Sequence, residues 1–166
     1  TGVCGSGGSY LAEYIINNQP NVKVFGLYRK LRPNNIKLIK KKSILIKCDM
    51  NNFKDLYSNL KKVSPDVIFH IASDADVRKS FDEPMSFINN NNNITLNLLE
   101  AVRILKLKSV IQICSTSEVY GQVKKNEVPI KEDNPMRPAS PYAVSKAFQD
   151  LCSQNYQKNY GLNIII

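Results

Sequence analysis

Short apolar segments rich in β-branched residues alternate with segments of helical periodicity along the whole chain, and this alternation restricts the fold more than any other feature. The predicted strands are 22–28, 44–48, 67–72, 110–114 and 162–166. The predicted helices are 9–18, 53–62, 94–105 and 143–160. Strands that alternate with helices form a parallel sheet covered on both faces, and right-handed crossovers make it doubly wound. The sequence therefore predicts an α/β, Rossmann-like domain.

The two ends of the sequence indicate a longer protein. Thr1 and Gly2 have the pattern of the last residues of a strand, and Leu162–Ile166 forms an apolar β-branched run that stops abruptly. We therefore expect residues 1–166 to be one partial NAD(P)-binding domain, which lacks most of its first strand and a C-terminal substrate domain.

The composition favours a globular protein, since 43% of the residues are hydrophobic. No apolar run approaches the roughly 18 residues of a membrane span, and no signal-peptide pattern is present. Cys4, Cys48, Cys114 and Cys152 form no Cys-x-x-Cys pair, and His70 alone does not complete a zinc set. We expect reduced cysteines, no metal, no membrane association and a cytoplasmic location.

The formal net charge of +9 admits two interpretations. A basic surface is typical of nucleic-acid binding. However, apart from the run Lys40–Lys42 the basic residues are scattered, and Lys and Asn are abundant throughout, as in Asn89–Asn93. Compositional bias is the favoured interpretation, so no nucleic-acid partner is expected. A polyanionic nucleotide substrate would also suit a basic face.

A glycine-rich segment, Gly2, Gly5 and Gly8, lies between a strand end and a helix. Glycine at this spacing lets the backbone turn tightly and approach a pyrophosphate, which the helix N-terminus then attracts. A simple tight turn is the alternative. The position between strand and helix favours a dinucleotide site.

The predicted strand 22–28 is followed by basic residues. NAD enzymes usually carry an acidic residue there for the ribose 2′-hydroxyl, but this chain has Arg29, Lys30 and Arg32. Guanidinium pairs with phosphate, so the pattern favours NADP over NAD, with a solvated basic loop as the alternative. Asp49, directly after the predicted strand 44–48, is placed either to bind adenine or to cap a helix.

Tyr142 and Lys146 are four residues apart on a predicted helix, so they share one face. An ammonium beside a phenol stabilises the phenolate, so we expect the Tyr142 pKa to be lowered and the residue to act as a base. Such pairs also arise by chance. The polar run Ser115–Glu118 directly follows a buried strand, where ligands of doubly wound folds bind, although a helix cap or polar turn would give the same pattern.

Taken together, these motifs resemble those of the extended short-chain dehydrogenases/reductases that modify nucleotide sugars. The shared segments are Thr1–Gly8, Ser115–Gly121 and Ser140–Lys146. The segment Gly8–Tyr14 and the run Thr116–Glu118 are most similar to the GDP-mannose 4,6-dehydratases within this group. The resemblance covers nearly the whole chain. It implies NADP, GDP-mannose as substrate, and a homo-oligomer when the protein is full length.

The resemblance also implies a role for each matching residue. Thr116 would hold the sugar O4, and Tyr142 would take the proton from that hydroxyl. Lys146 would lower the tyrosine pKa and bind the nicotinamide ribose. Glu118 would remove the C5 proton as water leaves C6. Ser117 stands where some related dehydratases have Asp.

Other positions match the cofactor environment or depart from the family. Ala72 and Asn91 match positions that line the cofactor and the strand ends. Asp74 and Asp76 replace the usual residues of the turn after the predicted strand 67–72, and Ile94 replaces a usual glycine.

Three other functions of the same family stay open: a 4-keto-6-deoxymannose reductase, a 4-epimerase and a nucleotide-sugar decarboxylase. A non-catalytic NADP-binding remnant is the alternative of another class.

Overall fold

The computed structural model describes residues 1–166 as an alternation of five strands and six α-helices. The strands are β1 (Phe25–Tyr28), β2 (Ile44–Lys47), β3 (Val67–His70), β4 (Val110–Ile113) and β5 (Asn163–Ile165). The helices are α1 (Ser6–Asn18), α2 (Pro33–Ile36), α3 (Phe53–Val63), α4 (Val77–Asp82), α5 (Pro84–Ile104) and α6 (Pro141–Tyr160). Two short 3-10 helices cover Ser117–Tyr120 and Lys125–Glu127. The α/β prediction is confirmed. None of the helices combines the length and hydropathy of a membrane span.

All strand pairs are parallel, as predicted. β1 pairs with β2, and β3, β4 and β5 form a second sheet in that order. The segment Thr1–Val3 lies between the two sheets: the Thr1 amino group donates to Phe69 O at 2.6 Å, and Val3 N–H donates to Leu27 O at 3.2 Å. Beside this segment, a cavity of about 710 Å³ separates β1 from β3. The order across the domain is therefore β2, β1, residues 1–3, β3, β4, β5, as in a doubly wound fold.

The main core lies between the β3–β4–β5 sheet and helices α3, α5 and α6. Leu98, Leu99 and Val102 of α5 are fully buried, together with Ile111 and Ile113 of β4. Burial of each such side chain contributes about 1.5–3 kcal/mol. Because α5 packs against both the sheet and α6, the core fixes the position of α6 relative to the strand ends.

Helix α5 is longer than its periodicity predicted. It begins at Pro84 rather than at residue 94, so the Asn-rich run lies inside the helix. Pro84 occupies the first turn, where a missing N–H costs nothing. Asn91 and Thr95 are buried polar residues on the inner face of α5. Because the inner face is polar here, the apolar periodicity did not predict this part of the helix, which tertiary packing stabilises.

Helix α6 begins and ends at well-defined residues. Ser140 caps its N-terminus, since its Oγ accepts the Ala143 N–H at 3.0 Å, and Pro141 occupies the first turn. Gly161 ends the helix in the left-handed conformation with φ 67°, as predicted. The cap places Tyr142 and Lys146 in the first two turns of α6.

The long irregular segment 121–140 is held by one bidentate ion pair. Arg137 donates to both carboxylate oxygens of Glu127, at 2.9 and 2.7 Å. This hydrogen bonding lowers the pKa of Glu127 to about 2. The segment is thereby folded back beside the 3-10 helix after β4, because Arg137 N–H also donates to Val119 O at 2.9 Å.

Removing glycine at one helix end and introducing it at another should change the stability in opposite directions. Gly161 has φ 67° and open space where a Cβ would lie, whereas Ser64, which ends α3, has φ 45°. We expect Gly161→Ala to lower the free energy of unfolding by about 1 kcal/mol through backbone strain alone. Ser64→Gly should raise it by roughly 0.5 kcal/mol, because the strain exceeds the entropy that glycine loses. Urea denaturation measures both, and shifts of the same sign would contradict the explanation.

Candidate functional site

Most of the predicted cofactor-binding residues line one cleft at the carboxyl ends of the strands, whereas Tyr142 and Lys146 lie outside it. Its volume is about 760 Å³. The predicted residues that line it are Gly2, Gly5, Gly8, Arg29, Asp49 and Ala72. Ligands of doubly wound folds bind at this edge, where the crossovers diverge.

The glycine turn is as tight as a dinucleotide site requires. Gly5 N–H donates to Gly2 O at 2.9 Å, and Gly2 has φ 71°. A Cβ on Gly2 would lie 2.8 Å from Ala72 N, and a Cβ on Gly8 would overlap Gly2 O. Helix α1 begins directly after Gly5, and no side chain caps it. Its first N–H groups are therefore available to an anion, so the turn fits a pyrophosphate.

The basic residues after β1 also line the cleft, but Arg29 already has partners. Arg29 Nη1 donates to Asn90 Oδ1 at 3.1 Å, and Arg29 Nη2 lies 3.8 Å from Asp74 Oδ1. Lys30 and Arg32 lie in the same cleft without such contacts. Through these two contacts the Arg29 guanidinium connects the end of β1 with the turn after β3 and with α5.

Asp49 is not a helix cap. Its Oδ1 accepts Asn51 N–H at 3.0 Å within the turn after β2. The cap of α3 is Asn52, whose Oδ1 accepts Asp55 N–H at 3.2 Å. The alternative of a cap at Asp49 is wrong because α3 begins at Phe53, four residues further along. The adenine-binding role of Asp49 stays a prediction.

The four predicted catalytic residues meet at the carboxyl end of β4. Tyr142 and Lys146 are buried, and the ammonium lies 5.9 Å from the centre of the phenol ring. Lys146 Nζ donates to Cys114 O at 2.8 Å, which connects α6 to the end of β4. Thr116 Oγ1 accepts Glu118 N–H at 3.3 Å, and the Glu118 side chain is exposed. The chain thus presents a hydroxyl, a carboxylate, a phenol and an ammonium together.

The expected lowering of the Tyr142 pKa is not found. Burial raises the pKa of Tyr142, and a hydrogen bond with Thr116 acts in the opposite direction with less effect. Burial also lowers the pKa of Lys146. The prediction was wrong because it counted only the charge of Lys146 and not the loss of solvation of both groups, which favours their neutral forms.

One further residue near the site, Asp150, was missed by the sequence analysis, and it pairs with Ser115 of the predicted polar run. Ser115 Oγ donates to Asp150 Oδ2 at 2.7 Å, and this joins the turn after β4 to α6. Burial raises the pKa of the Asp150 carboxyl. The signal was present in the helical spacing, since Tyr142, Lys146 and Asp150 follow one another at intervals of four residues.

Asn91 does not line the cofactor cleft, and it lies inside α5 rather than before a helix. It is fully buried. Its Oδ1 accepts Asp74 N–H at 2.8 Å, while its Nδ2 donates to Asp74 O at 3.0 Å and to Ser145 Oγ at 2.9 Å. Asn91 therefore holds the turn after β3 against α6 instead of facing a ligand.

A glycine turn before a helix, a tyrosine–lysine pair on a later helix and a hydroxyl–carboxylate run after the intervening strand define the short-chain dehydrogenase/reductase type of α/β protein. A family model described as GDP-mannose 4,6 dehydratase matches residues 1–166. The chain belongs to that family.

Individual relatives agree with this assignment. The GDP-mannose 4,6-dehydratase of Vibrio cholerae is 33% identical over 174 residues, which cover 98% of this chain and 46% of that protein. The chain thus spans about half the length of this curated relative. Among solved structures, the dTDP-glucose 4,6-dehydratase DesIV of Streptomyces venezuelae, with NAD and TYD bound, has a TM-score of 0.87 at 26% identity, covering 98% of this chain and 52% of that one. RMD of Pseudomonas aeruginosa, complexed with NADPH, shares the fold with a TM-score of 0.76 at 24% identity, covering 99% and 49%.

Two neighbouring glycines of the turn should differ sharply in how well they tolerate replacement by alanine. A Cβ on Gly8 would lie 2.8 Å from Gly2 C, whereas a Cβ on Gly7 would meet only Ile71 Cγ2, at 3.7 Å. We expect Gly8→Ala to destabilise the protein by about 1–3 kcal/mol and to weaken dinucleotide binding. Gly7→Ala, the matched control, should be neutral or stabilising because alanine favours the helix. Urea midpoints and calorimetric titration measure the two effects, and equal midpoints would refute the assigned contact.

The buried imidazole of His70 should make stability depend on pH. Thr95 Oγ1 donates to Asn91 O, so His70 Nε2, 3.0 Å from Thr95 Oγ1, donates to it and the Nδ1 atom accepts from Thr1. Burial is the main cause that lowers the pKa of His70 to about 3. Below the unfolded pKa of about 6.5, only the unfolded state takes up the proton, so stability falls as pH falls.

As the pH falls from 7 to 5, proton uptake by His70 in the unfolded state should lower the free energy of unfolding by about 2 kcal/mol. Since it is the chain's only histidine, His70→Asn provides the comparison. The difference between wild type and variant in their pH dependence, measured by urea denaturation, isolates the imidazole from the carboxylates. If the difference in unfolding free energy between wild type and His70→Asn is the same at pH 7 and at pH 5, His70 is not held neutral.

Proposed function

We propose that the protein is a nucleotide-sugar 4,6-dehydratase that converts GDP-mannose to GDP-4-keto-6-deoxymannose with NADP. The observation that carries this proposal is the meeting of Thr116, Glu118, Tyr142 and Lys146 at the end of β4. The adjacent strand β3 leads to the cleft of the glycine turn, so a dinucleotide in that cleft would extend toward these four residues. The family and the Vibrio cholerae relative support the choice of reaction.

The residues supply binding and proton transfer. Thr116 hydrogen-bonds the sugar O4, and Tyr142 accepts the O4 proton. Lys146 would hold the ribose of a bound nicotinamide nucleotide and would favour the phenolate. Glu118, whose exposed carboxylate follows Thr116 by two residues, removes the C5 proton as water leaves C6. A nicotinamide dinucleotide held in the cleft would supply the hydride chemistry of the reaction.

The elevated pKa of Tyr142 is compatible with this role. Burial keeps the phenol protonated until a charged partner approaches. Lys146 is within 5.9 Å of the ring centre, and its ammonium is held by a single backbone carbonyl. A rotation of the Lys146 side chain toward the phenol oxygen would stabilise the phenolate and favour proton transfer.

NADP is proposed over NAD because the residues after β1 are basic. Arg29, Lys30 and Arg32 line the cleft, and no acidic residue follows β1 to accept a ribose 2′-hydroxyl. A guanidinium can bind a 2′-phosphate by two parallel hydrogen bonds.

The roles of Tyr142 and Glu118 should separate in single-turnover absorbance of the complete natural protein. Tyr142→Phe should prevent even transient reduction of the cofactor, because O4 keeps its proton. Glu118→Gln should allow that reduction but stop loss of water and exchange of the C5 proton in heavy water. Loss of one proton-transfer group costs about 10²–10⁴-fold in rate.

The matched controls are Tyr14→Phe on α1 and Glu132→Gln in the segment 121–140, both exposed and outside the site. They should retain full turnover. If Glu118→Gln keeps normal turnover and C5 exchange, then Glu118 is only a turn residue, and an epimerase or reductase becomes the better assignment.

A further inference from the structure

Asp74 stands across the cofactor cleft from the basic residues that follow β1. Its Oδ1 is 3.8 Å from Arg29 Nη2, and both side chains are partly exposed, 38% and 49% respectively. Arg29 is also fixed by its 3.1 Å hydrogen bond to Asn90 Oδ1, which in turn accepts from Asn51 Nδ2 at 2.9 Å. The guanidinium therefore has a definite position with Asp74 as its charged partner.

The cleft does not share the basic character of the chain. Four basic and four acidic residues line it, although the whole chain has a formal charge of +9. The basic residues are Arg29, Lys30, Arg32 and Lys79, and the acidic ones are Asp49, Asp74, Asp76 and Glu83. Because these charges cancel, adding or removing any one of them changes the net charge that an anionic ligand meets in the cleft.

The other three acids are engaged elsewhere. Asp76 caps α4 by accepting Lys79 N–H at 3.0 Å, Glu83 pairs with Lys79 at 3.3 Å, and Asp49 accepts from Asn51 within its own turn. Asp74 is the acid that pairs with a basic residue following β1. Its carboxylate has no other polar partner, so its one interaction is with Arg29.

The side chain of Asp74 has no part in holding its own turn. Asn91 binds the backbone N–H and C=O of residue 74, at 2.8 and 3.0 Å. The turn would therefore keep its shape with an amide in place of the carboxylate. This separates the electrostatic role of Asp74 from its structural position.

We propose that Asp74 is a specificity-determining residue, which competes with the 2′-phosphate of a dinucleotide for Arg29 and so limits the preference for NADP over NAD. This inference rests on the proposed binding of NADP. A 2′-phosphate must displace Asp74 from Arg29 and meets its repulsion, whereas NAD, which carries a hydroxyl there, does neither. Repulsion of the pyrophosphate is common to both dinucleotides and cancels in the ratio of their dissociation constants.

The test compares Asp74→Asn with wild type in the complete natural protein, by calorimetric titration with NADP and with NAD. We expect the ratio Kd(NAD)/Kd(NADP) to rise about threefold to fivefold, which is the upper part of the range for an exposed ion pair. The rise should shrink at high ionic strength because these groups are exposed. Asp82→Asn, which removes the same charge from an exposed position at the end of α4 outside the cleft, should leave the ratio unchanged.

Arg29→Gln, alone and combined with Asp74→Asn, completes a double-mutant cycle. Competition requires that Asp74→Asn changes the ratio much less when Arg29 is absent. An effect of equal size in both backgrounds, or no effect in either, would overturn the proposal, and Asp74→Gln repeats the test if Asp74→Asn folds poorly. If Arg29→Gln lowers the ratio while Asp74→Asn does not raise it, only the role of Asp74 fails. If Arg29→Gln leaves the ratio unchanged as well, the proposed recognition of NADP by Arg29 fails with it.

Discussion

The buried amide of Asn91 is the interaction on which the arrangement of the site depends. It satisfies both backbone groups of Asp74 and the hydroxyl of Ser145, and so links the turn after β3, helix α5 and helix α6. A buried donor or acceptor that loses its partner costs about 1–3 kcal/mol. The cofactor cleft and helix α6 are thus held in one relative position by a residue that does not itself line the cleft.

A second set of polar contacts continues from this amide through the core. Gln149 of α6 reaches Thr95 of α5, and Thr95 binds His70 at the end of β3. These groups are almost fully buried between apolar side chains. Buried polar groups of this kind favour one alignment of the helices, because any shift in register leaves several of them unsatisfied. This alignment of the helices sets the position of Tyr142 and Lys146 beside the end of β4.

Much of the fold could be predicted because its signals are local. The strand–helix alternation, the left-handed cap at Gly161 and the glycine turn each follow from a few adjacent residues. The beginning of α5 could not be predicted, since Asn91 is polar in sequence and buried in the fold. The pair of Ser115 and Asp150 was missed for a related reason: two elements 35 residues apart in sequence form it.

The candidate site shows the same division between local and tertiary effects. The spacing of Tyr142 and Lys146 correctly predicts a shared helix face, but the pKa of each depends on the surrounding core. Burial pushes the phenol and the amine toward their neutral forms, and this opposes the ion pair that spacing alone suggests.

The buried phenol and amine nevertheless form a useful arrangement. When the phenol loses its proton, the phenolate and the Lys146 ammonium attract each other where water screens them least. The Asp150 carboxyl, whose pKa is raised by burial, lies one helical turn beyond Lys146 and hydrogen-bonds Ser115. It thereby adds negative potential on the side of Lys146 away from Tyr142 and opposes the neutral form of the amine. Helix α6 thus orders phenol, amine and carboxyl along one face, and the charge of Asp150 acts on the amine in the middle.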